Sequence, residues 1–161
     1  MTIDCRPVDY ANSVDANNLV ELLDDYAKDP MGGGSPLKPD VKEKLVRAMA
    51  ERNDVFSFIA YEQDEPVGLV NCVEGFSTFK AKPLMNIHDL TVKRSHRGKG
   101  IARLLMQAAE DLAKSRHCCK LTLEVLEGNE VAKQAYVNFG FKGYELDPEM
   151  GKATFWEKPL T

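Results

Sequence analysis

A turn broken by glycine, Arg97-Gly98-Lys99-Gly100, runs directly into an apolar stripe of Ile101, Leu104, Leu105, Ala108, Ala109 and Leu112. The stripe has helical spacing, and Arg103, Gln107, Glu110, Asp111 and Lys114 fall largely on the other side, so this helix must cover an apolar surface. Leu84 to Val92, ahead of the turn, reads as a strand, and so does Leu121 to Leu126 after the helix. A second helix follows, with Asn129 as its cap, Val131, Ala132, Ala135, Tyr136 and Phe139 facing one way, and Gly140 as its stop. Strand, turn, helix, strand, helix in that order predicts helices packed on a sheet.

The upstream half supplies the remaining elements. Thr2 to Val8 has the alternation of a strand, and Ser13 is the expected cap of a helix presenting Val14, Leu19, Val20, Leu22, Leu23 and Tyr26. Residues 29–36 carry too much Gly and Pro for regular structure, and a helix presenting Val41, Leu45, Val46 and Met49 follows Pro39. Val55 to Tyr61 and Val67 to Val73 read as a hairpin turning at Gln63-Asp64-Glu65-Pro66, with a longer excursion through Phe76 to Lys82 before the next strand. Lys142 to Leu146 and Ala153 to Glu157 are the last expected strands. The expected fold is α+β with a mixed sheet, in one domain over residues 1–161 with no repeat or linker.

Composition narrows the function classes. With 43% hydrophobic and 29% charged residues, the chain is too apolar for a disordered protein. It shows no basic segment leading into an apolar run and no stretch of ~18 apolar residues, so no membrane association and a cytoplasmic location are expected. The four cysteines, Cys5, Cys72, Cys118 and Cys119, are expected as reduced thiols. Cys118 and Cys119 are adjacent and lack the gap that lets two thiolates grip one zinc ion, so no metal is expected. A net charge of -4 disfavours a polyanionic partner, and the basic run from Lys93 to Arg103 lacks the interleaved aromatics of a nucleic-acid module. A cationic substrate is favoured.

The turn itself suits a pyrophosphate. Glycines let a ligand approach the backbone, and the free amides at a helix start, with the helix dipole, attract an anion. Lys93, Arg94, His96, Arg97, Lys99 and Arg103 concentrate positive charge there. Lys99 is followed by Gly100 rather than Ser or Thr, which excludes a P-loop, and Arg103 stands where a dinucleotide fingerprint needs glycine. The plain alternative is a solvated basic turn whose glycines only reverse the chain.

Asp89-Leu90-Thr91-Val92 followed by Arg97 to Ala102 resembles the coenzyme-binding signature of GNAT acetyltransferases, which reads Arg or Gln, two residues, Gly, one residue, Gly or Ala. Arg97, Gly100 and Ala102 match it, and Leu123-Glu124-Val125-Leu126 with Asn129, Ala132, Tyr136 and Gly140-Phe141 resembles the family's second element. The resemblance spans roughly residues 55–141 and implies a three-layer fold, a central mixed, mainly antiparallel sheet flanked by helices. It implies acetyl-CoA as cosubstrate, contacted by Leu90, Thr91, Val92, Arg97, Gly98, Lys99, Gly100, Ile101, Ala102 and Asn129. A homodimer is the family's expectation. Gly75-Phe76-Ser77-Thr78-Phe79 looks most like the diamine and polyamine acetyltransferases and their relatives acting on lysine-like amino acids, so a small-molecule amine is the implied acceptor. Peptide amines, aminoglycosides and a non-catalytic acetyl-CoA sensor are the alternatives.

The chemistry assigns roles. An alkylamine with a pKa near ~10.4 is protonated at neutral pH and must lose a proton before it attacks a thioester. The attacked carbonyl needs N–H donors, and the departing thiolate benefits from an acid. By resemblance Tyr136 is that acid; by spacing alone it is a core aromatic. In the polyamine-type relatives a glutamate precedes the strand's aspartate, and here the corresponding pair is His88-Asp89, so His88 is a candidate base through water, weighed against a hydrogen-bonded histidine in a central strand. Asp89 is a partner, an ammonium contact or part of that relay. Asp24, Asp25 and Asp29 can attract a cation or form a solvated face, and a covalent route through Cys72, Cys118 or Cys119 has no local sequence support.

Overall fold

The computed structural model describes residues 2–143 and 147–161. The chain divides into two compact units, Met1–Leu126 and Glu127–Thr161. The first holds β1 (Ile3–Pro7), α1 (Ser13–Lys28), α2 (Pro39–Ala50), β2 (Val55–Glu62), β3 (Glu65–Ser77), β4 (Lys82–Val92), α3 (Ile101–Ser115) and β5 (Leu121–Leu123). The sheet order is β1-β2-β3-β4-β5; successive pairs are antiparallel except β4 and β5, which are parallel. The sheet is therefore mixed and mainly antiparallel, as expected.

Alternation along the strands builds a layer on each face. Ile59, Tyr61 and Leu69 pack with Leu19 and Leu22 of α1 and Val46 of α2. The opposite face carries α3, which approaches so closely that a Cβ on Gly68 would lie 3.0 Å from Leu105 Cδ1, 3.1 Å from Ile101 Cγ2 and 3.1 Å from the Thr91 carbonyl oxygen. Leu105 is fully buried there, a burial that contributes about 1.5–3 kcal/mol. In α3 the buried arc is Ile101, Leu105, Met106, Ala109 and Ala113. Leu104, counted in the sequence stripe, is 42% exposed. Apolar residues span a wide arc of this helix, and the sheet selects which part is covered.

Several boundaries differ from the sequence reading. Asn12, not Ser13, caps α1, accepting from the amides of Val14 and Asp15, so Ser13 is already helical. The hairpin turn is the residue pair Gln63 and Asp64, with φ of 51° and 66°, the left-handed pair that matches strand twist. Pro66 lies in β3 opposite Tyr61 at an irregularity in the register, where a missing N–H is tolerated. β3 and β4 stay paired to Ser77 and Lys82, which shortens the expected excursion. β5 stops at Leu123 because its pairing with β4 ends at the Ile87–Leu123 pair.

In the second unit, Asn129 caps α4 (Glu130–Phe139) by accepting from the Ala132 amide at 3.2 Å. Gly140 ends α4, and the Phe141 ring lies edge-on to Tyr136 and stacked with Phe139. Ala153 to Glu157 does not form a strand. Of the strand expected over Lys142 to Leu146, residues 144–146 lie outside the described residues, and Lys142 and Gly143 are irregular.

Candidate active site

β4 and β5 separate where the site begins. Lys93 donates its amide to the Val67 carbonyl on the β3 side at 2.8 Å. Antiparallel partners bond through alternate residues, so Leu90 and Val92 turn their amides and carbonyls to the opposite edge. β5 pairs only with Met85 to Ile87, and that edge of β4 has no strand partner from His88 onward among the described residues. Thr91 faces β3 with its backbone and is 8% exposed.

The open edge leads into the cationic turn. Arg94–His96 forms a 3₁₀ turn, Gly98 and Gly100 take φ of 81° and 79°, and Gly100 is the N-cap of α3, which has no side-chain cap. The first intrahelical bond is the Leu104 amide to the Gly100 carbonyl at 3.2 Å, so the amides of Ile101 and Ala102 precede the helix's own hydrogen bonding. A Cβ on Gly98 or Gly100 would meet nothing within 4 Å. The left-handed backbone, rather than crowding within the protein, is what requires glycine here, and the space beside the turn is open to an anion. A pyrophosphate fits this surface.

Two carboxylates hold the turn from either side. Asp29, at the end of α1, accepts from Arg97 at 3.2 Å and Arg94 at 3.5 Å, and Arg97 Nε also donates to the Val92 carbonyl at 3.3 Å. Glu62, at the end of β2, pairs with His96 Nε2 at 2.9 Å and Lys99 Nζ at 3.5 Å. The Met31 amide, then Arg97, holds Asp29 below the usual carboxylate range. Partial burial works to raise Glu62, but His96 and Lys99 outweigh it and hold it low. Neither clamp was legible in the sequence, because each joins residues more than thirty positions apart.

On the α1 face, Asp25, Tyr26, Lys28, Asp29, Pro30, Thr91, Arg94 and Arg97 line a cleft of about 190 Å³. Burial raises the Tyr26 phenol, and the charges of Asp89 and Asp29 add to that. The sequence's acidic cluster is divided among different tasks. Asp24 is buried, accepts from the Leu37 amide at 2.9 Å, and pairs with Lys28 and Lys42, so it ties α1 to α2. Asp25 is exposed, and Asp29 serves the turn.

A polar line crosses the same face. Ser57 Oγ donates to Asn71 Oδ1 at 2.6 Å, so it accepts from the Tyr10 hydroxyl at 2.8 Å, and Asn71 Nδ2 donates to Asp89 Oδ2 at 3.1 Å. Every donor points toward Asp89. An amide does not pass protons along such a line as a hydroxyl does, so its task is to fix the carboxylate. Ser57 and Asn71 are 3% and 5% exposed, and their signal in the sequence was a polar residue inside each apolar strand. His88 falls at the register irregularity between the Asn71–Asp89 and Cys72–Ile87 pairs, and its side chain is exposed rather than tied into the sheet.

The structure thus gathers Asp89, Leu90, Thr91, Val92 and Arg97 to Ala102 in the first unit. Asn129 and Tyr136 belong to α4 in the second. Burial pushes the Cys72 thiol up to about 12, and burial followed by the Glu74 charge raises Cys118, the direction opposite to that of an activated thiol. Among the described residues no cluster of His, Cys, Asp and Glu is arranged to hold a metal, and no helix is long and apolar enough to cross a membrane.

Known proteins are similar to this chain in part of the sequence or in fold. A streptothricin acetyltransferase of Streptomyces lavendulae is 41% identical over 70 residues, 44% of this chain and 37% of that protein. An N-alpha-acetyltransferase 30 of Schizosaccharomyces pombe is 34% identical over 93 residues, 56% of this chain and 59% of that protein. The matched stretches therefore span well under two thirds of either relative. The solved aminoglycoside N-acetyltransferase AAC(6')-Iy in complex with CoA superimposes with a TM-score of 0.76 at 18% identity, covering 98% of this chain and 95% of that one, a likeness of fold. Residues 19–141 match the family described as acetyltransferase (GNAT), a stretch that includes the splayed strands, the glycine turn, α3 and α4, and the chain belongs to that family.

Proposed function

We propose that this protein transfers the acetyl group of acetyl-CoA to a primary amine of a small polycationic molecule, by direct attack in a ternary complex. The observation that carries the reading is the unpaired edge of β4 running into an uncapped, cationic helix start, with a cleft on the adjoining face where Asp25 and Asp29 stand beside Lys28, Arg94 and Arg97. The turn amides from Gly98 to Ala102, with Arg97 and Lys99, bind the pyrophosphate. Leu90 and Val92 hold the pantetheine arm through main-chain groups, with Thr91 between them, and the same amides donate to the developing oxyanion. The resemblance supports Asn129 as a further coenzyme contact and Tyr136 as the acid that protonates the departing sulfur. Asp89, fixed by Asn71, receives the acceptor's ammonium, and His88 takes its proton through water.

The sequence pattern around Phe76 supports polyamines or lysine-like amino acids. The names of two similar proteins, for streptothricin and for aminoglycosides, support a polycationic antibiotic as the second reading. The two readings share several ammonium groups on one flexible or sugar-based frame. A homodimer is supported by the resemblance alone. The deciding experiment is CoA release on a panel of spermidine, lysine, kanamycin and a peptide with a free N-terminus, with mass spectrometry of each product. Acetylation of spermidine or kanamycin but not the peptide is expected; acetyl-CoA binding without turnover on any acceptor would replace the enzyme with a sensor.

A further inference from the structure

Asp29 stands between the two ligands this site would bind. Its Oδ1 accepts from the Met31 amide at 2.9 Å, and its backbone carbonyl accepts from Gly32 and Gly34, which fixes the carboxylate to the loop after α1. Only Oδ2 faces the turn, and it is shared by Arg97 at 3.2 Å and Arg94 at 3.5 Å. The side chains of Arg97 and Arg94 are 52% and 79% exposed, whereas that of Asp29 is 16% exposed and lines the cleft. Ion pairs with one exposed partner are weak and readily exchanged, and a pyrophosphate offers Arg97 more charge together with bidentate geometry.

Resting on the reading that acetyl-CoA binds at the turn, we infer that Asp29 is a specificity-determining residue that exchanges partners. Arg97 holds it in the coenzyme-free protein, and it passes to the acceptor's ammonium when the pyrophosphate takes Arg97. With Arg97 drawn away, Asp29 keeps only the longer of its two ion pairs, the 3.5 Å contact to the largely exposed Arg94, so coenzyme binding raises the demand for a positively charged acceptor. Linkage makes the effect reciprocal: a bound amine tightens the coenzyme by the same factor. Asp29 therefore opposes coenzyme binding in the absence of acceptor, the reverse of what a residue that merely positions Arg97 would do.

Calorimetry with CoA separates these cases, using Asp29→Asn because asparagine can keep the bond to the Met31 amide. Wild-type protein that binds no CoA refutes the reading of the turn itself. If wild type binds, Asp29→Asn should bind CoA about 5–10-fold more tightly, within the usual range for coupled sites. Asp25→Asn, which removes an equal charge from the same cleft, should change CoA affinity less than about twofold, and the Asp29→Asn gain should vanish in an Arg97→Gln background. With spermidine and kanamycin as probes, KM should rise at least about tenfold in Asp29→Asn with kcat changed far less. In unmutated protein, either amine that binds should tighten CoA several-fold. Weaker or unchanged CoA binding by folded Asp29→Asn, a gain that survives loss of Arg97, or no mutual tightening of CoA and bound amine in the wild type would overturn the exchange and leave the coenzyme site standing.

Discussion

Replacing Gly100 separates backbone strain from the ligand's own demand for space. With φ of 79° at this N-cap and nothing within 4 Å of a built Cβ, Gly100→Ala meets no neighbour, and its cost is the left-handed conformation alone, about 1–2 kcal/mol. For a chain of this length that corresponds to a fall of roughly 3–6 °C in Tm. Gly100→Glu carries the same strain and adds a charge facing the open side of the turn. At about 5 Å and an effective dielectric near 20, one carboxylate repels each pyrophosphate charge by roughly 3 kcal/mol before screening by salt, enough to weaken coenzyme binding by a hundredfold or more. The assay is calorimetric titration with CoA alongside thermal melting for both variants. The expected pattern is similar Tm for the two and a CoA affinity far lower for Gly100→Glu. Affinities within twofold of each other in two folded variants would show that the pyrophosphate does not lie on this turn.

Gly68→Ala should cost about 1–3 kcal/mol in urea unfolding, because the Thr91 carbonyl and the side chains of Leu105 and Ile101 crowd the added methyl; an unchanged midpoint would show that α3 lifts freely from the sheet. Burial works to raise Asp24, but the Leu37 amide, Lys42 and Lys28 outweigh it and depress its pKa in the folded protein. Its stabilisation is then complete above the unfolded value near ~3.9 and is lost as pH falls through the lower folded value, so Asp24→Asn should flatten the acid limb of a stability–pH curve, measured by denaturant midpoints. Tyr136→Phe should lower turnover far more than acetyl-CoA affinity, since the ring contact with Phe141 survives and the proton donor does not; full turnover with chemistry limiting would return Tyr136 to packing alone. His88→Ala, compared with wild type on one amine, should lower kcat, and a folded variant that keeps full turnover would route the proton through Asp89 or water.

The elements most legible in the sequence were those whose signal is local. The stripe after Gly100 fixed α3, Asn129 and Gly140 bounded α4, and apolar runs gave β2, β3 and β4, because periodicity and caps act within a few residues. Ser13 misled because Asn12 beside it is an equally good cap, and backbone geometry chose between them. Leu126 was placed in β5 by its apolar character, yet a strand lasts only as long as its partner stays within hydrogen-bonding distance, and β4 leaves β5 after Ile87. The coenzyme turn was readable because its chemistry is carried by consecutive residues.

What no stretch of sequence contained was the company those residues keep. Asp24, Asp25 and Asp29 looked alike along the chain, but folding buries the first between two lysines, exposes the second and sets the third against Arg97. Asn71 and Ser57 read as lone polar residues in apolar strands until register aligned them with Tyr10 and Asp89. Local sequence determined where helices, strands and the anion-binding turn form, since these depend on neighbours in the chain. Tertiary structure alone decided which charges are satisfied and which remain for a ligand, because an ion pair is set by distance and burial in space, and residues 29 and 97 meet only once the sheet has closed beneath them.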